Sequence, residues 1–200
     1  MLVRDRMLKN PVTVTRQDTL AVAQEKMQTG RFRHLPVVYD SHVIGILTDR
    51  DLGHYWGAEE RTRVGTAMTE NPLTVSPLST VEETARLLLQ YQISGLPVVE
   101  EEKLVGIITT SDILQAFLDL TGAGVAGSVR IDVRQENNHA KMDEALLLMK
   151  ERSVEVLGVG VYRDPARELS VFYLRLRGDD AEAASKALRD RGYTVLGVHS

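Results

Sequence analysis

Two short blocks of this 200-residue chain hold side chains whose types and spacing suit ligand chemistry: Gly45-Ile-Leu-Thr48-Asp-Arg-Asp51 and Gly106-Ile-Ile-Thr109-Thr-Ser-Asp112. In each, an apolar run led by glycine ends at a threonine, and a helical pattern follows. A strand that ends where a helix begins points the helix's unpaired N–H groups and positive dipole end at one spot. Such a spot suits a phosphate. Thr48 or Thr109 offers a hydroxyl there. The aspartate three residues on accepts hydrogen bonds only, which suits a pair of sugar hydroxyls. The same Thr-x-x-Asp spacing is nearly a capping box, in which the two side chains satisfy helix-end amides and bind nothing. Its double occurrence in one register, with the same glycine ahead, favours a ligand role alongside capping.

Other reactive groupings are not in evidence. The five histidines, His34, His42, His54, His139 and His199, form no i, i+4 pair, and there is no cysteine to share a metal or serve as nucleophile. Each histidine is expected to be structural or on the surface, and no metal, cofactor or catalytic residue is expected. Gly158-Val-Gly lies inside a strand pattern rather than at a strand-to-helix turn, so it does not read as a phosphate loop. His54-Tyr-Trp56 reads as core or interface packing. A net charge of −4 provides no basic field for nucleic acid or an anionic membrane. The apolar runs are short and Met1-Leu-Val-Arg-Asp-Arg has no apolar signal stretch, so a cytoplasmic location is expected.

The elements that must position the two blocks come from a duplication. Shifted by 61 positions, Val3–Leu52 lies on Val64–Ile113 without a gap, with 15 of 50 residues identical. In the first copy Asn10-Pro-Val-Thr-Val is extended, because proline keeps the preceding residue out of helix. Thr19 caps a helix bearing Leu20, Ala23 and Met27 on one face. Leu35-Pro-Val-Val and Val43-Ile-Gly-Ile-Leu are strands joined by the polar Asp40-Ser-His, and Thr48-Asp-Arg-Asp51 opens a second helix. Each copy is thus a β-α-β-β-α unit, over residues 1–60 and 61–121.

Three glycines among residues 122–127 mark a linker. Beyond it, residues 128–200 change pattern. Val129, Ile131 and Val133 alternate as in a half-buried strand, and Met142, Ala145, Leu146 and Met149 form a helical stripe. Val154–Tyr162 and Leu169–Arg177 are strands about Asp164-Pro165, Asp180 caps a helix, Gly192 ends it, and Tyr193–Val198 closes the unit. The fold class is α+β: two β-α-β-β-α units followed by a ferredoxin-like β-α-β-β-α-β unit.

The Leu-Pro-Val-Val and Gly-h-h-Thr-x-x-Asp blocks (h, apolar) resemble those of CBS domains, which pair into a Bateman module. The resemblance implies two clefts that bind AMP, ADP, ATP or S-adenosylmethionine. Each cleft would take the Thr/Asp helix start of one copy and the early strands of the other. One would join Thr109, Ser111 and Asp112 to Asn10, Val12, Phe32 and Arg33. The other would join Thr48, Arg50 and Asp51 to Asn71, Leu73, Ile93 and Ser94. Aspartate would hold the ribose, threonine the phosphate and the apolar residues the adenine, while Arg33 and Arg50 suit phosphate. Residues 128–200 resemble an ACT domain. The Pro-Gly near which that family binds amino acids is replaced here by Gln135-Glu-Asn-Asn-His139-Ala, which points to dimerisation or relay instead. The combination resembles the acetoin-utilisation AcuB type of protein. These likenesses imply a non-catalytic regulatory homodimer with an adenine nucleotide as regulatory ligand and an unnamed protein partner. The alternatives are an assembly module with empty clefts, or a regulator that answers to an amino acid through the ACT-like unit.

Overall fold

A computed structural model describes residues 1–135, 140–166 and 168–200, so Glu136–His139, within the stretch Gln135–Ala140 considered above, lie outside the described residues. The chain forms two compact units, Met1–Ala116 and Phe117–Ser200.

In the first unit the duplication is visible strand by strand. The strands are β1 (Leu8–Lys9), β2 (His34–Tyr39), β3 (His42–Thr48), β4 (Thr69–Glu70), β5 (Gly95–Glu100) and β6 (Lys103–Thr109). The helices are α1 (Leu20–Gly30), α2 (Asp49–Gly53), α3 (Val64–Ala67), α4 (Val81–Gln90) and α5 (Thr110–Leu120), the last running past the unit boundary. Hairpins β2–β3 and β5–β6 turn at Asp40–Ser41 and Glu101–Glu102, all four residues having positive φ. Two consecutive left-handed residues are what a two-residue hairpin of native twist requires. Thr19 and Thr80 cap α1 and α4, accepting from the Val22 and Glu83 amides.

The pairing of the short strands does not follow the order of the chain. β1, in the leading segment of the first copy, pairs antiparallel with β6 of the second, Leu8 facing Ile107. β4, in the leading segment of the second copy, pairs with β3 of the first, Ile46 facing Thr69. The cores follow suit. Val3 and Met7 pack with Val75, Leu88, Leu96, Val98 and Ile108, while Val64 and Met68 pack with Leu20, Leu35, Val37 and Leu47. Each copy therefore completes its core with the other's leading segment. The two lobes join edge to edge where β3 meets β6 at His42 and Lys103.

The second unit contains β7 (Ser128–Arg134), α6 (Ala140–Glu151), β8 (Val156–Asp164), β9 (Leu169–Arg177), α7 (Ala181–Asp190) and β10 (Val195–His199). Its sheet order β10-β7-β9-β8, antiparallel throughout, is ferredoxin-like. Ile131, Val133, Phe172, Leu174 and Leu176 pack against Ala145, Leu148 and Met149 of α6 and Ala184 and Leu188 of α7. β8 begins two residues later than the sequence pattern suggests. Asp180 stands at the start of α7 without a side-chain cap bond, because a single 3-10 turn, Gly178–Asp180, leads into the helix. Gly192 has the left-handed φ, 84°, expected past a helix end.

Candidate functional site

The two signature glycines are places of close approach. A Cβ on Gly106 would stand 2.6 Å from Met7 Sδ and 3.0 Å from the Leu8 carbonyl, and one on Gly45 would stand 2.6 Å from Met68 Sδ. Each glycine lets the other copy's leading segment lie flat on the strand that ends at the Thr/Asp pair. One edge of each cleft is built this way.

At both helix starts the aspartate reaches back to the threonine. Asp112 Oδ2 accepts from the Thr109 amide and the Thr109 hydroxyl, each at 2.7 Å. Asp51 Oδ2 does the same with Thr48, also at 2.7 Å. The threonine hydroxyl's hydrogen is therefore committed to the carboxylate, which changes its expected part: it can accept from a ligand but has none to donate to a phosphate. The first helical amides are committed too, Asp49 N to Arg33 O at 3.1 Å and Thr110 N to Ser94 O at 3.0 Å. The second carboxylate oxygen, Oδ1, of Asp112 and of Asp51 has no hydrogen-bond partner among the described residues.

Around Asp112 these groups enclose space. A cavity of about 290 Å³ is lined by Leu8, Pro11, Val12, Phe32, His34, Ile107, Thr109 and Asp112. A second, of about 180 Å³, is lined by Arg31, Phe32, Arg33, His34, Ser94, Thr109, Thr110 and Ser111. Phe32, His34 and Thr109 border both. The first is mainly apolar with one carboxylate, and the second is cationic. Val12, Phe32, Arg33, Thr109, Ser111 and Asp112 are thus brought to one place. Asn10 borders neither cavity; it turns the chain with φ 49° and donates its amide to Val105 O.

Around Asp51 the picture differs. Leu73 and Ile93 expose about two-fifths of their surface (41% and 37%), as Val12 does (46%), leaving apolar area at the corresponding positions of both clefts. Arg50 is exposed on α2. Asn71 lies elsewhere, lining a cavity with Arg16, Tyr39, Ile44, Met68 and Glu70. Ser94, expected beside Asp51, borders the Asp112 side, where its Oγ shares a 2.9 Å hydrogen bond with His34 Nε2.

His34, which the sequence reads as structural or on the surface, borders both cavities, a position that reading does not include. Burial first, and the Arg33 guanidinium next, hold its imidazole below the usual histidine range; Arg50 acts in the same sense, and Asp49 and Asp51 oppose it. The available signal was the pair His34/Gly95 at one repeat position. A Cβ on Gly95 would stand 3.0 Å from the His34 ring, so a side chain there would crowd the imidazole. Of the two readings of His54-Tyr-Trp56, core packing holds for Tyr55, which packs on the first lobe, and not for Trp56, which is 85% exposed.

A likeness to characterised proteins is consistent with this geometry. The family model described as "CBS domain" matches residues 3–55 and again 64–119, together more than half of the chain. The chain belongs to the CBS-domain family. More narrowly, it is similar to a putative acetoin utilization protein (AcuB) from Vibrio cholerae, at 31% identity and TM-score 0.56 over 60% of this chain and 92% of that one. It is similar to CBSX2 in complex with AMP, at 30% identity and TM-score 0.54 over 58% and 96%. It is similar to the CBS domain pair of protein MJ0100 in complex with 5′-methylthioadenosine and S-adenosyl-L-methionine, at 30% identity and TM-score 0.55 over 58% and 95%. An inosine-5′-monophosphate dehydrogenase of Korarchaeum cryptofilum is 32% identical over 107 residues, 53% of this chain. The match spans only 22% of that enzyme. No helix among the described residues is long and apolar enough to cross a membrane.

Proposed function

We propose that this chain is a non-catalytic regulatory protein that senses an adenine nucleotide or a related adenosine ligand in the clefts of its CBS pair. The carrying observation is the open carboxylate oxygen of Asp112 beside an apolar cavity of about 290 Å³. A ribose supplies the hydroxyl donors that an acceptor-only carboxylate needs. Val12, Phe32 and Ile107 offer the faces for adenine. With the Thr109 hydroxyl and Thr110 amide engaged, the phosphate falls to Arg33 and the first turn of α5 around Ser111. AMP on CBSX2 and S-adenosyl-L-methionine on the MJ0100 pair support the ligand class. In the Asp51 cleft, Thr48, Arg50, Leu73 and Ile93 are assigned the corresponding parts. A tie to acetoin or carbon metabolism rests on the likeness to AcuB. We assign the ACT-like unit to dimerisation or relay and the whole to a homodimer, with its regulated protein partner unnamed.

The test is calorimetric titration of the purified chain with AMP, ADP, ATP and S-adenosylmethionine. Saturable binding of at least one of them, weakened in Asp112→Asn, is expected. No binding by any of the four would favour an assembly module with empty clefts.

A further inference from the structure

The Asp112 cleft has an unequal feature that duplication does not explain. His34 begins β2 and Gly95 begins β5 at the same repeat position, and the imidazole lies where a Gly95 side chain would be. One ring nitrogen, Nε2, is anchored to Ser94 Oγ; the other, Nδ1, has no hydrogen-bond partner among the described residues. The ring borders both the apolar cavity holding Asp112 and the cationic one holding Arg31, Arg33 and Ser111. It therefore stands where the nucleoside part of a ligand gives way to its 5′ substituent.

We propose that His34 is a specificity-determining residue of this cleft, selecting a 5′-phosphate over a neutral or cationic 5′ group by taking up a proton when the phosphate arrives. The proposal rests on the reading of the cleft as an adenosine site and adds which class of adenosine ligand it takes. The charged groups around the ring set the balance. Arg33 and Arg50 disfavour the imidazolium in the empty cleft, Asp49 and Asp51 favour it, and Arg31 and Asp112 line the same cavities. A phosphate paired with Arg33 neutralises the stronger of the two opposing charges and brings negative charge of its own, so the imidazolium becomes the favoured form. A sulfonium does the opposite. The half-buried setting keeps this exchange from being fully screened by water. The Asp51 cleft, whose corresponding position is Gly95, has no such group.

The experiment titrates AMP, adenosine and S-adenosylmethionine into the full chain and into His34→Gln between pH 5.5 and 8. Calorimetry in two buffers of different ionisation heat counts the protons exchanged. Because AMP's phosphate itself titrates near pH 6, the informative quantity is the difference between parent and variant. In the parent, AMP affinity should rise toward low pH by about tenfold more than in the variant, with net proton uptake. Adenosine, which has no 5′ charge, should show the same small change of affinity with pH in both proteins, and an unchanged thermal midpoint shows that the variant is folded. S-adenosylmethionine should gain nothing from acid. The same pH profile and proton count for AMP in parent and variant would overturn the proposal and leave the adenosine reading standing. Failure of AMP and adenosine alike to bind the parent would overturn both.

Discussion

At the residue scale, Asp112 and Asp51 each use one carboxylate oxygen for the fold and leave the other open. Oδ2 holds the threonine at the helix start, and Oδ1 is left for a partner. The sequence allowed capping and binding to coexist; in the structure the cap occupies one oxygen, and the proposed ribose contact would use the other. Replacement by alanine would strand the threonine amide and hydroxyl, so Asp112→Asn is the cleaner probe. It should weaken AMP binding by about 1.5–3 kcal/mol, the contribution of hydrogen bonds to a charged group, with only a small change in thermal midpoint. Equal affinity in calorimetry would remove Asp112 from the ribose. His34 gives a prediction about stability. Burial, then Arg33, hold its imidazole below the usual range, so the unfolded chain binds that proton more tightly than the folded one. This contribution is complete above about pH 6.5 and is lost as pH falls through the lower folded value. Urea midpoints from pH 8 to 5 should drop less steeply in His34→Gln than in the parent. Parallel curves would contradict the burial argument.

At the element scale, the succession of strands and helices was legible wherever the pattern was local. Leu35-Pro-Val-Val and Val43-Ile-Gly-Ile-Leu announced a hairpin, and the alternation of Val129, Ile131 and Val133 announced β7. The exchange of leading segments was not announced. β1 is two residues long and finds its partner about a hundred positions away, and no periodicity encodes such a meeting. Its trace in the sequence was the glycine of each signature, whose close contact with Met7 or Met68 becomes evident only in three dimensions. Gly106→Ala would press a methyl against Met7 and the Leu8 carbonyl, and the backbone cannot move away as the methionine can. A loss of about 1–3 kcal/mol is expected, read as a lower midpoint in thermal unfolding followed by circular dichroism. An unchanged midpoint would mean that β1 does not lie on β6 as described. The place of His34 beside both cavities was not legible for a related reason: it depends on Gly95, 61 positions away.

At the scale of the molecule, the exchanged segments make the two CBS copies one folding unit. A fragment of residues 1–60 would lack Val64 and Met68, which fill the first core, and would expose Val3, which belongs to the second. It should give the circular dichroism of an unfolded chain; a cooperative melt would show that the copies fold independently. The same interleaving places residues from both copies around Asp112, so ligand binding should be felt in both at once. The most direct test is amide hydrogen exchange of the full chain with and without saturating AMP. Added protection is predicted together in three separated stretches, residues 8–12, 31–35 and 107–112, which meet at the two cavities around Asp112. Protection confined to one copy, or no protection in any of the three while AMP is bound, would contradict the assignment of this cleft.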